Sequence, residues 1–530
     1  MKRLKSLLRI IFGRTAFMVL FLVIQLAVLF GCFKWLSGYI IYVYGGFTGL
    51  TVFVVIYILN KQEEPNYKLA WIIPILAFPI FGTLFYIYVE LEIGTRLIAG
   101  RLRRIIGETE GELRQDSQVI NNLRKDSQRV ENLTHYMNQY GGYPVYQNTQ
   151  AKYFPCGEIM FEELKRQLRA AKEFIFMEYF IIEKGTMWNS ILEILEEKVK
   201  EGVEVRVMYD GMCWLTLLPY HYPQELEKKG IRCKMFAPVR PALSSYQNNR
   251  DHRKITVIDG HTAFTGGINL ADEYINVKKR FGYWKDVALM IKGDGVKSFT
   301  MMFLQLWNVT ERQTDVYSRY IRDNLGDNMR KSAGDVSVKT GKENFQESLG
   351  YIMPYADSPL DSETVGEHVY LDILYQAKKY VHIMTPYLIL DNDMITALTY
   401  TAKRGVETII IMPHIPDKLY AYLLARSYYR ELLEAGVRIF EFTPGFVHGK
   451  AYVSDDETAV VGTINMDYRS LHLHFECAAY MYRNPAVMEV EEDYRNTLKQ
   501  CQEITVEDCR KYPLYKKIAG GALRLFAPLM

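Results

Sequence analysis

Polarity along the chain changes character three times. From Thr15 to Phe33, Gly38 to Leu59 and Leu69 to Val89 the residues are almost all apolar, and each run is close to the roughly 20 residues that a membrane-crossing helix needs. Pro74 and Pro79 interrupt the third run, which predicts a kinked or re-entrant segment. Residues 1–92 are therefore expected to be a membrane anchor of two to three apolar helices. Residues 93–141 are highly charged, above all between Glu108 and Asn138, and predict a solvated helical connector. From about Gly142 short apolar strands alternate with amphipathic helices. Glu173 to Phe180 reads as a strand, Trp188 to Lys200 as a helix and Val203 to Tyr209 as the next strand, which is the pattern of an α/β body. Residues 511–530 set Lys516, Lys517 and Arg524 among apolar neighbours, an amphipathic tail suited to an anionic surface or to packing as a helix.

The α/β body repeats itself. Lys200-Glu-Gly-Val-Glu-Val-Arg-Val returns as Lys403-Arg-Gly-Val-Glu-Thr-Ile-Ile, at an offset of 203 residues. Leu226-Glu-Lys-Lys-Gly-Ile-Arg returns as Leu432-Leu-Glu-Ala-Gly-Val-Arg, at an offset of 206. The shared order and near-equal offset predict an internal duplication. Two tandem α/β/α sandwich halves, 142–340 and 341–510, are expected around a pseudo-twofold axis. A site at their interface would draw one set of groups from each.

That duplication carries the candidate chemistry. His252-Arg-Lys254-Ile-Thr-Val-Ile-Asp259 and His448-Gly-Lys450-Ala-Tyr-Val-Ser-Asp455 share the pattern H-x-K-x4-D, and Asn269 and Asn465 each follow their histidine by 17 residues. A strand over Lys254–Ile258, an Asp-Gly turn at Asp259 and a return strand over Thr262–Thr265 make a hairpin. Its open end gathers His252, Lys254 and Asn269. The paired pattern nominates His252, Lys254, Asp259, His448, Lys450 and Asp455 as a catalytic set, with Asn269 and Asn465 binding phosphate. Asp259 stands roughly 20 Å from the histidine, at about 3.3 Å per residue, which favours a turn or ion-pair role for it and for Asp455.

Two imidazoles, two ammonium groups and two carboxamides around one volume suit in-line displacement at phosphorus. The cations and amides hold the equatorial oxygens, one histidine attacks, and the other protonates the departing alkoxide. This chemistry requires no metal or other cofactor, and no carboxylate cluster suited to one is evident. Net charge is only +3, which argues against a nucleic-acid partner and so against a nuclease. Seven scattered cysteines without a C-x-x-C pair argue against a zinc site or a disulfide framework. Lys2, Arg3, Lys5, Arg9 and Arg14 precede the first apolar run, and Arg96, Arg101, Arg103 and Arg104 follow the third. By the positive-inside rule both sets belong on the cytoplasmic side, which three complete spans cannot satisfy. A multi-pass protein with a cytoplasmic catalytic body is expected.

The paired motifs resemble the phospholipase D superfamily, and their flanks resemble bacterial cardiolipin synthases over nearly the whole chain. The matching pieces are Asn249-Arg-Asp-His-Arg-Lys254, Gly266-Gly-Ile-Asn-Leu-Ala-Asp-Glu-Tyr274, Trp284-Lys-Asp286, Thr385-Pro-Tyr387, Gly462-Thr-Ile-Asn-Met-Asp467 and Arg469-Ser470. The segment holding Trp71, Pro74, Pro79 and Gly82 and the ending Leu523-Arg-Leu-Phe-Ala-Pro-Leu-Met530 join them. The resemblance implies halves of the phospholipase D type and a covalent phosphatidyl-histidine on His252, with His448 as acid and base, an assignment that could be reversed. It also implies that Asp286 and Glu476 orient the imidazoles. The implied reaction joins two phosphatidylglycerol molecules in a bacterial cell membrane to give cardiolipin and glycerol. Rival readings are a phospholipase D hydrolase, a transferase that uses phosphatidylethanolamine, and a non-catalytic membrane scaffold. Oligomeric state is not legible. The chain departs from the resemblance at His474, where asparagine is common, at Leu390 in place of proline, and in its first apolar run.

Overall fold

The computed structural model describes residues 40–238 except 63, 91 and 92, residues 249–321 except 312, and residues 349–529 except 362, together with positions 23, 24, 27 and 31. Two compact units emerge. One comprises residues 1–98, 239–248 and 522–530; the other comprises residues 99–238 and 249–521.

In the first unit the expected apolar run 15–33 lies outside the described residues, apart from the four isolated positions. The second run forms the helix Ile40–Asn60, with side chains described from Tyr44 onward. The third run is divided: Pro65–Ala77 is one helix and Pro79–Glu90 the next, with the break at Phe78. Pro79 has no N–H for the helix it would otherwise continue, whereas Pro74 is accommodated inside the first of the pair. Val54, Ile58, Ile72, Ile75 and Tyr86 form the core of these three helices, and Thr51 Oγ1 lies 2.9 Å from Thr83 Oγ1. Val52, Phe53, Ile56, Leu59, Leu69, Ile73, Leu76, Leu84 and Tyr88 are exposed. Among the described residues no helix is long and apolar enough to cross a membrane, so the expected spans are not found there.

The second unit holds the duplicated body. Its first half contributes β1 (Thr149–Phe154), β2 (Phe174–Tyr179), β3 (Glu204–Asp210), β4 (Arg232–Phe236), β5 (Arg250–Asp251), β6 (Lys254–Ile258), β7 (Thr262–Gly266), β8 (Tyr283–Lys285) and β9 (Ala288–Gly293). Its second half contributes β10 (Tyr351–Asp357), β11 (Tyr380–Met384), β12 (Glu407–Pro413), β13 (Arg438–Phe442), β14 (Gly445–Val447), β15 (Ala451–Ser454), β16 (Thr458–Gly462), β17 (His474–Tyr482) and β18 (Cys501–Ile504). The two main sheets run β1-β9-β7-β6-β2-β3-β4 and β10-β17-β16-β15-β11-β12-β13-β18. Strand for strand these orders match, with β18 added at one edge.

The physical basis is the same in both halves. β2 and β3 are parallel strands buried except at Glu204, as β11 and β12 are except at Glu407; such strands need cover on both faces. Helices Gly157–Ala170 and Thr186–Lys200 bury Leu164, Leu168, Trp188, Ile191 and Leu195. The echoed glycines close equivalent helices. Gly202 (φ 89°) and Gly405 (φ 87°) take the left-handed conformation that ends a helix just before a strand. Each half also lends a helix to the other. Val296–Asn308 lies against β2, β6 and β7 and also against β10, while Ala486–Leu498 lies against β11, β15 and β16 and also against β1.

The charged stretch after residue 93 is helical, as expected, yet it is not simply solvated. Helix Gln128–Gly141 buries Val130, Leu133, Thr134 and Met137, and lies against β10 and the helix Val365–Gln376. An apolar stripe among the charges was the signal for this docking.

Candidate active site

The hairpins form as the pattern predicts. β6 and β7 are antiparallel, as are β15 and β16. Asp259 and Asp455 occupy the turns with left-handed φ of 52° and 56°, a conformation that costs a non-glycine residue energy unless neighbours hold it. Here the carboxylates themselves anchor the turn. Asp259 accepts the backbone N–H groups of Lys172, Glu173 and Phe174 at 2.8, 2.7 and 2.9 Å. Asp455 accepts those of Lys378, Lys379 and Tyr380 at 2.7, 2.8 and 3.0 Å. These two members of the nominated catalytic set are thus turn residues, at the far end of each strand from the histidine.

The histidines sit where the halves exchange backbone. β5, just before His252, pairs in parallel with the start of β17, setting Arg250 opposite His474 and Asp251 opposite Phe475. His252 N–H then donates to the Phe475 carbonyl at 2.9 Å, and the next residue on β17 is Glu476. β14, just before His448, pairs in parallel with β8, setting Val447 opposite Lys285. His448 N–H donates to the Lys285 carbonyl at 2.7 Å, and the next residue is Asp286. Register therefore delivers each histidine to a carboxylate of the other half. His252 Nδ1 lies 2.8 and 3.0 Å from the Glu476 oxygens, and His448 Nδ1 lies 2.6 Å from Asp286 Oδ2. With both Nδ1 atoms engaged by carboxylates, Nε2 is the ring nitrogen that these two pairs leave open.

Charge in this volume is shared across the halves. Burial pushes His252 well below the usual histidine range, and Lys254, His474, Lys450 and His448 add to the shift. His448 is lowered to about 4, chiefly by burial and by Lys450. Burial lowers Lys254 to about 8 and Lys450 to about 7. Each ammonium is held by the carbonyl of its own motif histidine, and Lys450 Nζ also lies 3.0 Å from both ring nitrogens of His448. The two carboxylates differ. Burial would raise Asp286, but His448 and Lys450 hold it below the usual range. Glu476 is pushed well up by burial despite Lys254 and Thr463.

The asparagines are buried but engaged. Asn269 accepts from Ile181 N–H at 2.9 Å and donates to Tyr274 Oη at 2.7 Å. Asn465 donates to Ser470 Oγ at 3.0 Å, while its Oδ1 has no hydrogen-bond partner among the described residues. Several contributors had no role assigned from the sequence. Thr463 Oγ1 donates to Glu476, Phe180 meets the His252 ring edge-on at 5.0 Å, and Trp284 covers His448 at 5.2 Å. The differing second residues of Gly266-Gly267-Ile-Asn269 and Gly462-Thr463-Ile-Asn465 were the available signal. A Cβ on Gly267 would stand 2.0 Å from Asp286 Oδ1, so glycine admits one carboxylate where threonine hydrogen-bonds the other.

Two imidazoles backed by carboxylates and flanked by ammonium groups are equipped to displace a group at a phosphodiester. A family described as "Cardiolipin synthase, PLD-like domain" matches residues 164–307 and 370–498, which together make up more than half of the chain. The chain belongs to the phospholipase D-like cardiolipin synthases. It is accordingly an enzyme of the phosphatidyltransferase type. Residues 49–89 match a second family, described as "Phospholipase_D-nuclease N-terminal". Relatives of this cardiolipin synthase-family chain span nearly its whole length. A cardiolipin synthase of Alkalihalophilus pseudofirmus is 31% identical over 91% of this chain and 93% of its own. An uncharacterized protein of Streptococcus mutans is 48% identical over 90% of this chain and 99% of its own. The crystal structure of the phosphatidylserine synthase of Haemophilus influenzae covers 75% of this chain and 98% of its own with a TM-score of 0.54 and 16% identity, a likeness of fold.

Proposed function

We propose that the chain is a cardiolipin synthase that transfers a phosphatidyl group between two phosphatidylglycerol molecules, giving cardiolipin and glycerol. The observation that carries this reading is the reciprocal exchange at the interface, His252 with Glu476 and His448 with Asp286. In the first half-reaction His252 Nε2 attacks phosphorus while His448 protonates the leaving glycerol oxygen, so the P–O bond breaks as the P–N bond forms. In the second, His448 takes the proton of a hydroxyl of the second phosphatidylglycerol, whose oxygen displaces His252. Lys254, Lys450, Asn269 and Asn465 hold the phosphoryl oxygens.

The unequal carboxylates support this division of labour. A nucleophile must be neutral, and the surroundings of His252 suppress its charge. An acid must be able to take up a proton, and the ionised Asp286 favours imidazolium on His448. An incoming phosphodiester anion offsets the field of Lys450 that opposes it. The exposed apolar side chains on helices Ile40–Asn60, Pro65–Ala77 and Pro79–Glu90 support seating in the bacterial cell membrane, with the catalytic body on the cytoplasmic side. There both lipid substrates are held at high effective concentration.

Purified protein supplied with phosphatidylglycerol alone tests the reading. Cardiolipin and glycerol in equal amounts are expected, and both are lost in His252→Ala and in His448→Ala. Phosphatidic acid without cardiolipin would establish hydrolysis instead, and added phosphatidylethanolamine required for turnover would establish the other donor.

A further inference from the structure

His474 is the anomaly of the site. Its side chain is only 10% exposed, and neither ring nitrogen has a hydrogen-bond partner among the described residues. A buried imidazole normally places at least one nitrogen on a partner. His474 instead directs Nδ1 at Glu476 Oε1, 3.8 Å away, and its ring centre lies 5.5 Å from that of His252. Glu476 Oε1 is also the oxygen 2.8 Å from His252 Nδ1. One nitrogen from each histidine and one carboxylate oxygen thus lie within 4.8 Å of one another.

The geometry points to a transition-metal site of the Zn²⁺ type formed by His252, His474 and Glu476, at which bound metal inhibits transfer. Two imidazoles and a carboxylate are a zinc ligand set, with bonds of about 2.0–2.1 Å and hence neighbouring ligand atoms about 3.3 Å apart in a tetrahedron. The present separations bracket that value. Thr463, which donates to the other Glu476 oxygen, supplies the outer support that orients a ligating carboxylate. Arg469, Lys254, Arg250 and Lys418 around His474 and Lys254 and Lys450 around His252 oppose a dication, so reversible uptake is expected rather than a resident ion.

Inhibition follows from proton placement. The metal needs the Nδ1 lone pair of His252, so the ring proton, which attack at Nε2 requires on Nδ1, moves to Nε2. Nε2 then has no lone pair with which to attack phosphorus. Metal binding stands without the proposed reaction; the inhibitory effect rests on His252 being its nucleophile.

The test uses the full-length protein in phosphatidylglycerol micelles with Zn²⁺ alone, read by competition against a chromophoric chelator and by lipid turnover. Each variant is normalised to its own metal-free rate. Wild type is expected to bind zinc and lose turnover in parallel, with recovery on chelation. His474→Asn should bind roughly tenfold or more weakly and lose its zinc sensitivity by the same factor. His472→Asn, which alters the separate group Glu367, Asp391 and His472, should bind as wild type does. No zinc uptake by wild type, or equal uptake by His474→Asn, would overturn the site. Uptake that depends on His474 but leaves turnover untouched would overturn the role given to His252 and not the metal site. Should His474→Asn fail to fold, the visible absorption of Co²⁺ bound to wild type decides, since its absence sinks the proposal; His474→Gln then supplies the comparison.

Discussion

Replacing Glu476 by glutamine separates chemistry from folding at this site. The carboxamide keeps the volume but removes the acid–base group 2.8 Å from His252 Nδ1, which balances the positive charge the ring acquires when Nε2 bonds phosphorus. A hydrogen bond to a charged group contributes about 1.5–3 kcal/mol, and at about 1.36 kcal/mol per decade the loss is roughly 10- to 150-fold in kcat. If the amide turns its NH₂ towards Nδ1, the histidine proton must move to Nε2 and the loss approaches about ten-thousand-fold, as for a wrong tautomer in a triad. Stability should move the other way. Burial pushes the Glu476 carboxyl well up in the folded protein, so the folded state holds that proton to higher pH than the unfolded chain does. Burying Glu476 therefore costs stability at neutral pH, where the unfolded chain has already released that proton, and glutamine removes the cost. Cardiolipin formation from phosphatidylglycerol, beside a thermal melt of the same sample, reads both effects. Turnover within about threefold of wild type, less than about 0.7 kcal/mol, would refute the reasoning, as would a fall in Tm large enough to explain the lost rate.

Asp259→Ala and Asp455→Ala should each cost about 1–3 kcal/mol in denaturant titration, while the folded fraction keeps its kcat, because their partners are backbone amides leading into β2 and β11, remote from the histidines. Abolished turnover in well-folded protein would restore a catalytic role. Lys450 and Lys254, at about 7 and about 8 in the free protein, are charged below those values and neutral above them, so kcat/KM for the anionic lipid should fall as pH rises from 7 to 9. The depressed His252 stays neutral on the acid side, so no loss from its protonation is expected between pH 7 and 6; a profile still climbing at pH 9 contradicts the assignment. Gly267→Ala should displace Asp286, given the 2.0 Å approach, and lower kcat by about a hundredfold if the shift is near 1 Å; unchanged kinetics would show that Asp286 does not orient His448.

Much of the body was legible because its signals are local. Short apolar strands, turns led by Asp259 and Asp455 and helix-ending glycines at Gly202 and Gly405 each report the conformation of their own few residues, and their repetition reports the duplication. The histidine, lysine and asparagine of each half were placed together by the same short-range arithmetic. What only the tertiary structure decided is which carboxylate serves which imidazole. Glu476 is near His448 in sequence yet faces His252, and Asp286 faces His448. The cause is register in two short parallel pairings, β5 with β17 and β8 with β14, between segments remote in the chain. No local pattern encodes such a pairing, because its free energy arises only when both halves are folded and their buried donors meet. The docking of helix Gln128–Gly141 and the placing of His474 beside His252 and Glu476 belong to the same class. Each depends on a neighbour that sequence distance does not supply.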